Sequence, residues 1–176
     1  FDNQKDVWAN SPLPFPQTPT FATKLTSMEI KNLFDPSVKQ EIIARINNLT
    51  LQSQRQWGKM EVAQMLAHLQ VPMGVALGAH TVKGNWLMKL ILPLFKKVLY
   101  DEKPWKQGLP TDKTFIMTGL SKDFDQEKTN LLGMVNRFTE ANIINGKHPV
   151  FGKLTKEQWG RATWKHIDHH MRQYGV

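Results

Sequence analysis

The segment WKHIDHHMRQYGV sets His166, His169 and His170 close together in the chain, and clustered imidazoles raise the question of a metal ion. The 176 residues include six histidines and no cysteine. Disulfides, thiolate zinc sites and cysteine nucleophiles are therefore excluded, and a transition-metal site must be built from imidazole and carboxylate. On a helix of about 3.6 residues per turn, positions four apart differ by about 40° in direction and positions three apart by about 60°. His166 can thus project beside His170 or beside His169, whereas His169 and His170 diverge by about 100°. The stripe of Trp159, Ala162 and Thr163 continues through His166 and His170, which turns this pair inward, leaves His169 on the flank and points Asp168 away. Such a pair offers two nitrogens to one cation, but it also fits a solvated face or a hydrogen-bonded C-terminal turn favoured by the helix dipole. A third ligand from another helix would decide, and His68 is the candidate.

Four helices are expected to position these side chains. Asp35-Pro36 combines a capping carboxylate with a proline suited to the first helical position, and Val38, Ile42, Ile43, Ile46 and Leu49 follow at helical spacing, so the first helix covers 36–49. The second covers 59–79, where Val62, Met65, Leu66, Leu69, Met73 and Ala76 form a stripe with His68 at its inner edge and Pro72 as a kink. The third covers 124–143, opened by Asp123 with Gln126 and ended before Asn145-Gly146. The fourth starts at LTKEQW, where Thr155 and Gln158 form a capping box and Leu154 can staple onto Trp159, and it runs to Tyr174 with Gly175 as its stop. Between the second and third lies NWLMKLILPLFKKVLY, read as a short, mostly buried helix broken at Pro93, with Lys89, Lys96 and Lys97 on its wet side. An amphipathic helix at a membrane surface is the competing reading of that segment. A turn-rich loop, YDEKPWKQGLPTDK, follows. With no strand pattern or repeat in view, the expected fold is an all-α four-helix bundle with a short inserted helix and a long loop between helices two and three.

One domain over residues 28–176 accommodates this, since a chain with 40% hydrophobic residues has enough for a single core. Residues 1–27, with four prolines between Pro12 and Pro19, are expected to form an extended arm outside the fold, a foreign or processed remnant preceding Met28. That arm lacks the basic start and apolar run of a secretory signal. The apolar stretch from Trp86 to Phe95 is too short to span a bilayer and contains Lys89 and Pro93, so no transmembrane segment and a cytoplasmic location are expected. The net charge is +8, half of it between Lys83 and Lys113, where seven lysines face three acids. A positive field of this kind attracts nucleic acid, anionic membranes and small anionic substrates alike.

HIDHHMRQYG resembles the terminal helix of the DinB/YfiT-like superfamily, which carries one histidine on its second helix and a histidine pair four apart on its last. WGKMEVAQMLAHLQ, LFKKVLYDEKPWKQGLPT and HPVFGKLTKEQWGRATWKHIDHHMRQYG are similar to an uncharacterised branch of it, and the resemblance spans 28–176. It implies a four-helix bundle in which His68, His166 and His170 hold a divalent metal, zinc or nickel. It also implies a cosubstrate for some members, a low-molecular-weight thiol such as bacillithiol, mycothiol or glutathione.

The expected function is accordingly a metal-dependent enzyme, a thiol-dependent S-transferase or a hydrolase acting on a small, anionic substrate. His169 or Glu61 would assist with protons, and Lys97 and Lys106 would attract the anion. Glu61 competes with a plainer role as a favourable charge in a helix's first turn. His148 is read as a loop histidine, His80 as the end of the second helix, and Trp57, Trp105 and Trp164 as packing or pocket walls. The alternative is a bundle that binds metal or a small ligand, or forms a homodimer, without turnover. Nucleic acid is disfavoured because no groove of interleaved basic and aromatic residues is visible.

Overall fold

The computed structural model describes residues 28–81, 90–109, 115–143 and 146–176. The proline-rich arm, the segment containing Lys89 and the Asn145 stop signal lie outside the described residues. Within them the chain is mostly helical, with α1 at Pro36–Asn48, α2 at Val62–Ala76, α3 at Phe124–Arg137 and α4 at Lys156–Gln173. A 3-10 helix, Leu92–Leu99, lies between α2 and α3, and a shorter one, Glu140–Asn142, follows α3. No helix among the described residues is long and apolar enough to cross a membrane.

The helices start where local chemistry dictates. The Asp35 carboxylate accepts from the Ser37 amide at 2.8 Å ahead of Pro36, and Asp123 accepts from the Gln126 amide at 2.7 Å. At α4 the Thr155 hydroxyl accepts from the Gln158 amide at 3.1 Å while Gln158 Oε1 accepts from the Thr155 amide at 3.0 Å. Two helices are shorter than expected. Helix α2 opens at Val62, with Glu61 as its cap rather than a first-turn residue, and the Glu61 amide donates to Gln64 Oε1 at 3.0 Å. Helix α3 ends at Arg137 because Asn142 Nδ2 takes the Arg137 carbonyl at 2.8 Å and Phe138 leaves the helix to stack on Phe34.

Helix α2 packs against α3 and α4, and α1 packs against the same two. Residues Val62 to Leu69 of α2 are buried without a break, so it is enclosed all round rather than along one stripe. Met65, Leu66, Leu69 and Met73 meet Ile42, Ile46, Leu131, Val135, Ile167 and Met171 in one core. A side chain at His68 therefore has nowhere to point but into protein.

Two expectations fail. The chain contains a small antiparallel hairpin, Lys147–His148 with Gly152–Lys153, too short for any alternation to show in its sequence. And the inserted helix is not mostly buried: none of Leu92–Leu99 is buried, and Leu94 is 81% exposed. Its inner side supplies little more than Leu99, packed against the core together with Tyr100.

Candidate metal centre

The last turns of α4 would fray if left alone, because their carbonyls lack partners within the helix. Here they are tied down from two sides. Arg45 of α1 donates to the Val176 carbonyl and to Asp168 Oδ1, the latter at 2.8 Å. From the segment before α2, the Gln56 amide donates to the Gln173 carbonyl at 2.8 Å, while the Tyr174 hydroxyl donates to the Met60 carbonyl at 2.7 Å. Burial pushes that hydroxyl up to about 12, so it remains a donor at any ordinary pH. The histidine-bearing end of α4 is a fixed part of the fold.

His68, His166 and His170 come together, with one ring nitrogen from each lying within 4.8 Å of the others. His68 and His170 are 4% and 7% exposed, while His166 is the more accessible of the three. The outer nitrogens of two rings are already occupied. His68 Nδ1 donates to the Phe115 carbonyl at 2.8 Å, and His170 Nδ1 donates to Gln173 Oε1 at 2.8 Å. With the proton on Nδ1, each Nε2 carries a free lone pair, the tautomer a metal requires. The Nε2 atoms of His68 and His166 stand 3.1 Å apart in a ring-to-ring hydrogen bond, His166 donating to His68, which a bound metal would replace. Two imidazoles on one tetrahedral ion, with bonds of about 2.0–2.1 Å, hold their nitrogens roughly 3.3 Å apart. That pair is spaced as ligands of one ion would be, and the 4.8 Å span of the three nitrogens must contract for all of them to bind it.

Electrostatics keep the rings neutral, as ligation needs. Burial holds His68 below the usual imidazole range. His166 is driven well below it, by burial first and then by the neighbouring His170, His68 and His169 rings. His170 is lowered to about 3, chiefly by burial. The donor set can thus hold a divalent ion without giving it a compensating negative charge, and an all-imidazole set suits zinc, nickel, copper and iron.

Next to this cluster is a cavity of about 180 Å³ whose lining includes Trp57, Trp105, Gln107, Asp168, His169 and Arg172. The Trp105 ring packs on both His166 and His169, at centroid distances of 5.4 and 5.8 Å, so it is the wall shared by cavity and cluster. His169 lies on the flank, half-buried between Trp105 and Trp57. Its pKa is lowered by burial, with Asp168 pulling the other way. Asp168, expected to point away from the interior, is instead buried, with its Oδ1 2.8 Å from the Arg45 guanidinium of α1 and its Oδ2 2.9 Å from Arg172 Nε.

The remaining candidates fall elsewhere. Glu61 is exposed at the start of α2, about 10 Å along the axis from His68 and beyond direct reach of the cluster. His148 lies in the hairpin, stacked on Trp159, where its Nδ1 accepts from the Val150 and Phe151 amides. His80 is exposed and rests against Gly74. Lys97 and Lys106 are exposed, and Trp164 is core.

Sequence reasoning missed three participants. Gln173 is detectable in principle, one turn beyond His170 on the same face, and its Nε2 also donates to the Trp57 carbonyl at 2.7 Å. The Phe115 carbonyl has no side-chain signature. Lys165 reads as a surface residue but is fully buried, donating to the Val98 carbonyl, the Asp101 carbonyl and Asp101 Oδ1 at 2.7–2.8 Å. These three acceptors satisfy all three ammonium protons. Because Trp105 Nε1 also donates to the Val98 carbonyl, Lys165 locks the segment that carries Trp105 onto α4.

No curated protein and no solved structure matches the chain. A family model matches residues 27–175, which include every residue of the cluster and of its cavity; the chain belongs to the family described as protein of unknown function DUF1569.

Proposed function

We propose that this chain is a DinB/YfiT-like four-helix bundle that holds a divalent metal ion, zinc or nickel, on His68, His166 and His170. It works as a metal-dependent S-transferase or hydrolase, with a low-molecular-weight thiol as cosubstrate in the transferase case. One observation carries this reading: two outer nitrogens are committed to Phe115 and Gln173 while the inner nitrogens converge. Histidines on a solvated face would have no reason to be oriented twice over. When bound, such an ion lowers the pKa of a water or thiol beside it.

The chain's own residues supply the rest. Trp57 and Trp105 wall the cavity and restrict water at His166. His169, neutral at pH 7 because burial lowers its pKa, is placed to accept a proton from a group entering the cavity. Arg172, 53% exposed at the side chain, gives an anionic substrate a positive edge to approach. Low-molecular-weight thiols are kept reduced in the cytoplasm, which is where this reading places the protein.

A second reading, a metal- or ligand-binding protein without turnover, is favoured by one detail. Asp168, the carboxylate of the cavity, is ion-paired with Arg45 and Arg172, so the cavity lining offers no carboxylate free of a cation. Metal-loaded protein screened with glutathione or bacillithiol against electrophiles separates the two. The enzyme reading expects turnover that needs the metal and falls roughly a hundredfold in His169→Gln. Tight metal binding with no thiol or ester turnover would transfer the case to the second reading.

A further inference from the structure

The helix that was expected to be buried exposes a run of large apolar side chains: Leu90 (67% exposed), Ile91, Leu94, Phe95 (59% exposed) and Val98. This face is held outward by contacts on its other side. Pro93 sits beside Gly152 of the hairpin, Lys96 Nζ donates to the Lys153 carbonyl at 3.3 Å, and the Val98 carbonyl receives Lys165 and Trp105. The apolar side is therefore fixed in place rather than waiting to fold inward.

Its surroundings are basic. Lys97 is exposed on the helix itself, and Lys147 and Lys153, cross-strand partners in the adjoining hairpin, are exposed beside it. The stretch from Leu90 to Tyr100 contains no acid, and the whole chain carries +8. An apolar face fringed by lysines is complementary to a surface that is oily within and negatively charged at its boundary. A second copy of the chain fits less well, since a two-fold contact places a patch against itself and would oppose these lysines to one another.

We propose that this face docks the protein on a bilayer containing anionic phospholipids, with Leu90, Leu94 and Phe95 entering the headgroup boundary while Lys97, Lys147 and Lys153 meet lipid phosphates. The proposal stands whether or not the histidine cluster turns over a substrate.

Cosedimentation of the full chain with phosphatidylcholine vesicles, with and without phosphatidylserine, tests it. The expected result is retention on the phosphatidylserine vesicles that weakens as salt rises and is much lower on phosphatidylcholine alone. The double variant Leu94→Ser, Phe95→Ser should bind roughly tenfold more weakly or worse, and so should Lys97→Glu, Lys153→Glu, which leaves the apolar face intact if the first variant misfolds. Absence of retention by the parent, or retention of both variants equal to that of the parent, overturns the proposal. So does a concentration-dependent dimer that Leu94→Ser dissolves in analytical ultracentrifugation, which would assign the face to self-association.

Discussion

Replacing Gln173 by leucine removes a side chain that links His170 of the cluster to the segment before α2. Gln173 is buried, and its amide makes two bonds, accepting from His170 Nδ1 and donating to the Trp57 carbonyl. Leucine has similar bulk and neither polar group. An unpaired buried donor or acceptor costs about 1–3 kcal/mol. The His170 side is buried and should cost near the upper end, whereas Trp57 is only half-buried and its carbonyl can recruit water. The stability loss in metal-free protein should be about 2–4 kcal/mol. A second effect falls on the metal. Without an acceptor at Nδ1, His170 can place its proton on Nε2 and block the ligating lone pair, and losing such a support weakens metal binding by roughly 10–100-fold. Gln173→Glu separates the two effects, because it keeps an acceptor for His170 but leaves the Trp57 carbonyl without its donor. It should lose part of the stability and keep metal affinity within about threefold of the parent. Chemical denaturation of the metal-free protein gives the first quantity, and competition against a chromophoric chelator gives the second. If Gln173→Leu is destabilised yet binds metal as tightly as the parent, then Gln173 is a packing residue and the reasoning about His170 fails.

Two further outcomes follow from buried groups. Lys165→Met should lower stability by about 3 kcal/mol or more in equilibrium unfolding, because the Asp101 carboxylate and two carbonyls lose their shared donor, and Trp105 emission should shift as its segment loosens. His148, lowered to about 4 by burial, is neutral in the folded protein while its unfolded counterpart protonates near 6.5. The unfolded state therefore takes up the proton first, so stability present above pH 6.5 declines as pH falls toward 4, by about 3 kcal/mol from this residue. Unfolding measured across that window should show a shallower decline in His148→Asn, which retains an acceptor for the Val150 and Phe151 amides. Equal slopes in both proteins would contradict the assignment.

What could be read from the chain was what local chemistry decides. The Thr155–Gln158 box, the Asp35 and Asp123 caps and the helical phase of His166 against His170 depend on residues within a turn or so of one another, and all take their expected forms. His68 was legible as a candidate from its place at the edge of the stripe through Met65 and Leu69, although α2 proves to be enclosed all round. The failures share a different cause. Leu90 to Val98 are as apolar as a core helix, and composition does not say whether protein covers them. Lys165 is charged like any surface residue, and only the fold brings Asp101 and the Val98 carbonyl to it. The early end of α3 and the hairpin at Lys147 are set by single long-range or turn contacts, for which hydrophobic period carries no information.

The central claim is that imidazoles from α2 and α4 enclose a single cation, and metal stoichiometry tests it most directly. Elemental analysis of the purified chain should give one divalent ion per molecule, and essentially none in His68→Ala, His166→Ala and His170→Ala variants shown by circular dichroism to be folded. Equal metal content in the parent and the three variants, or a parent that takes up no divalent ion when dialysed against zinc or nickel, would contradict it.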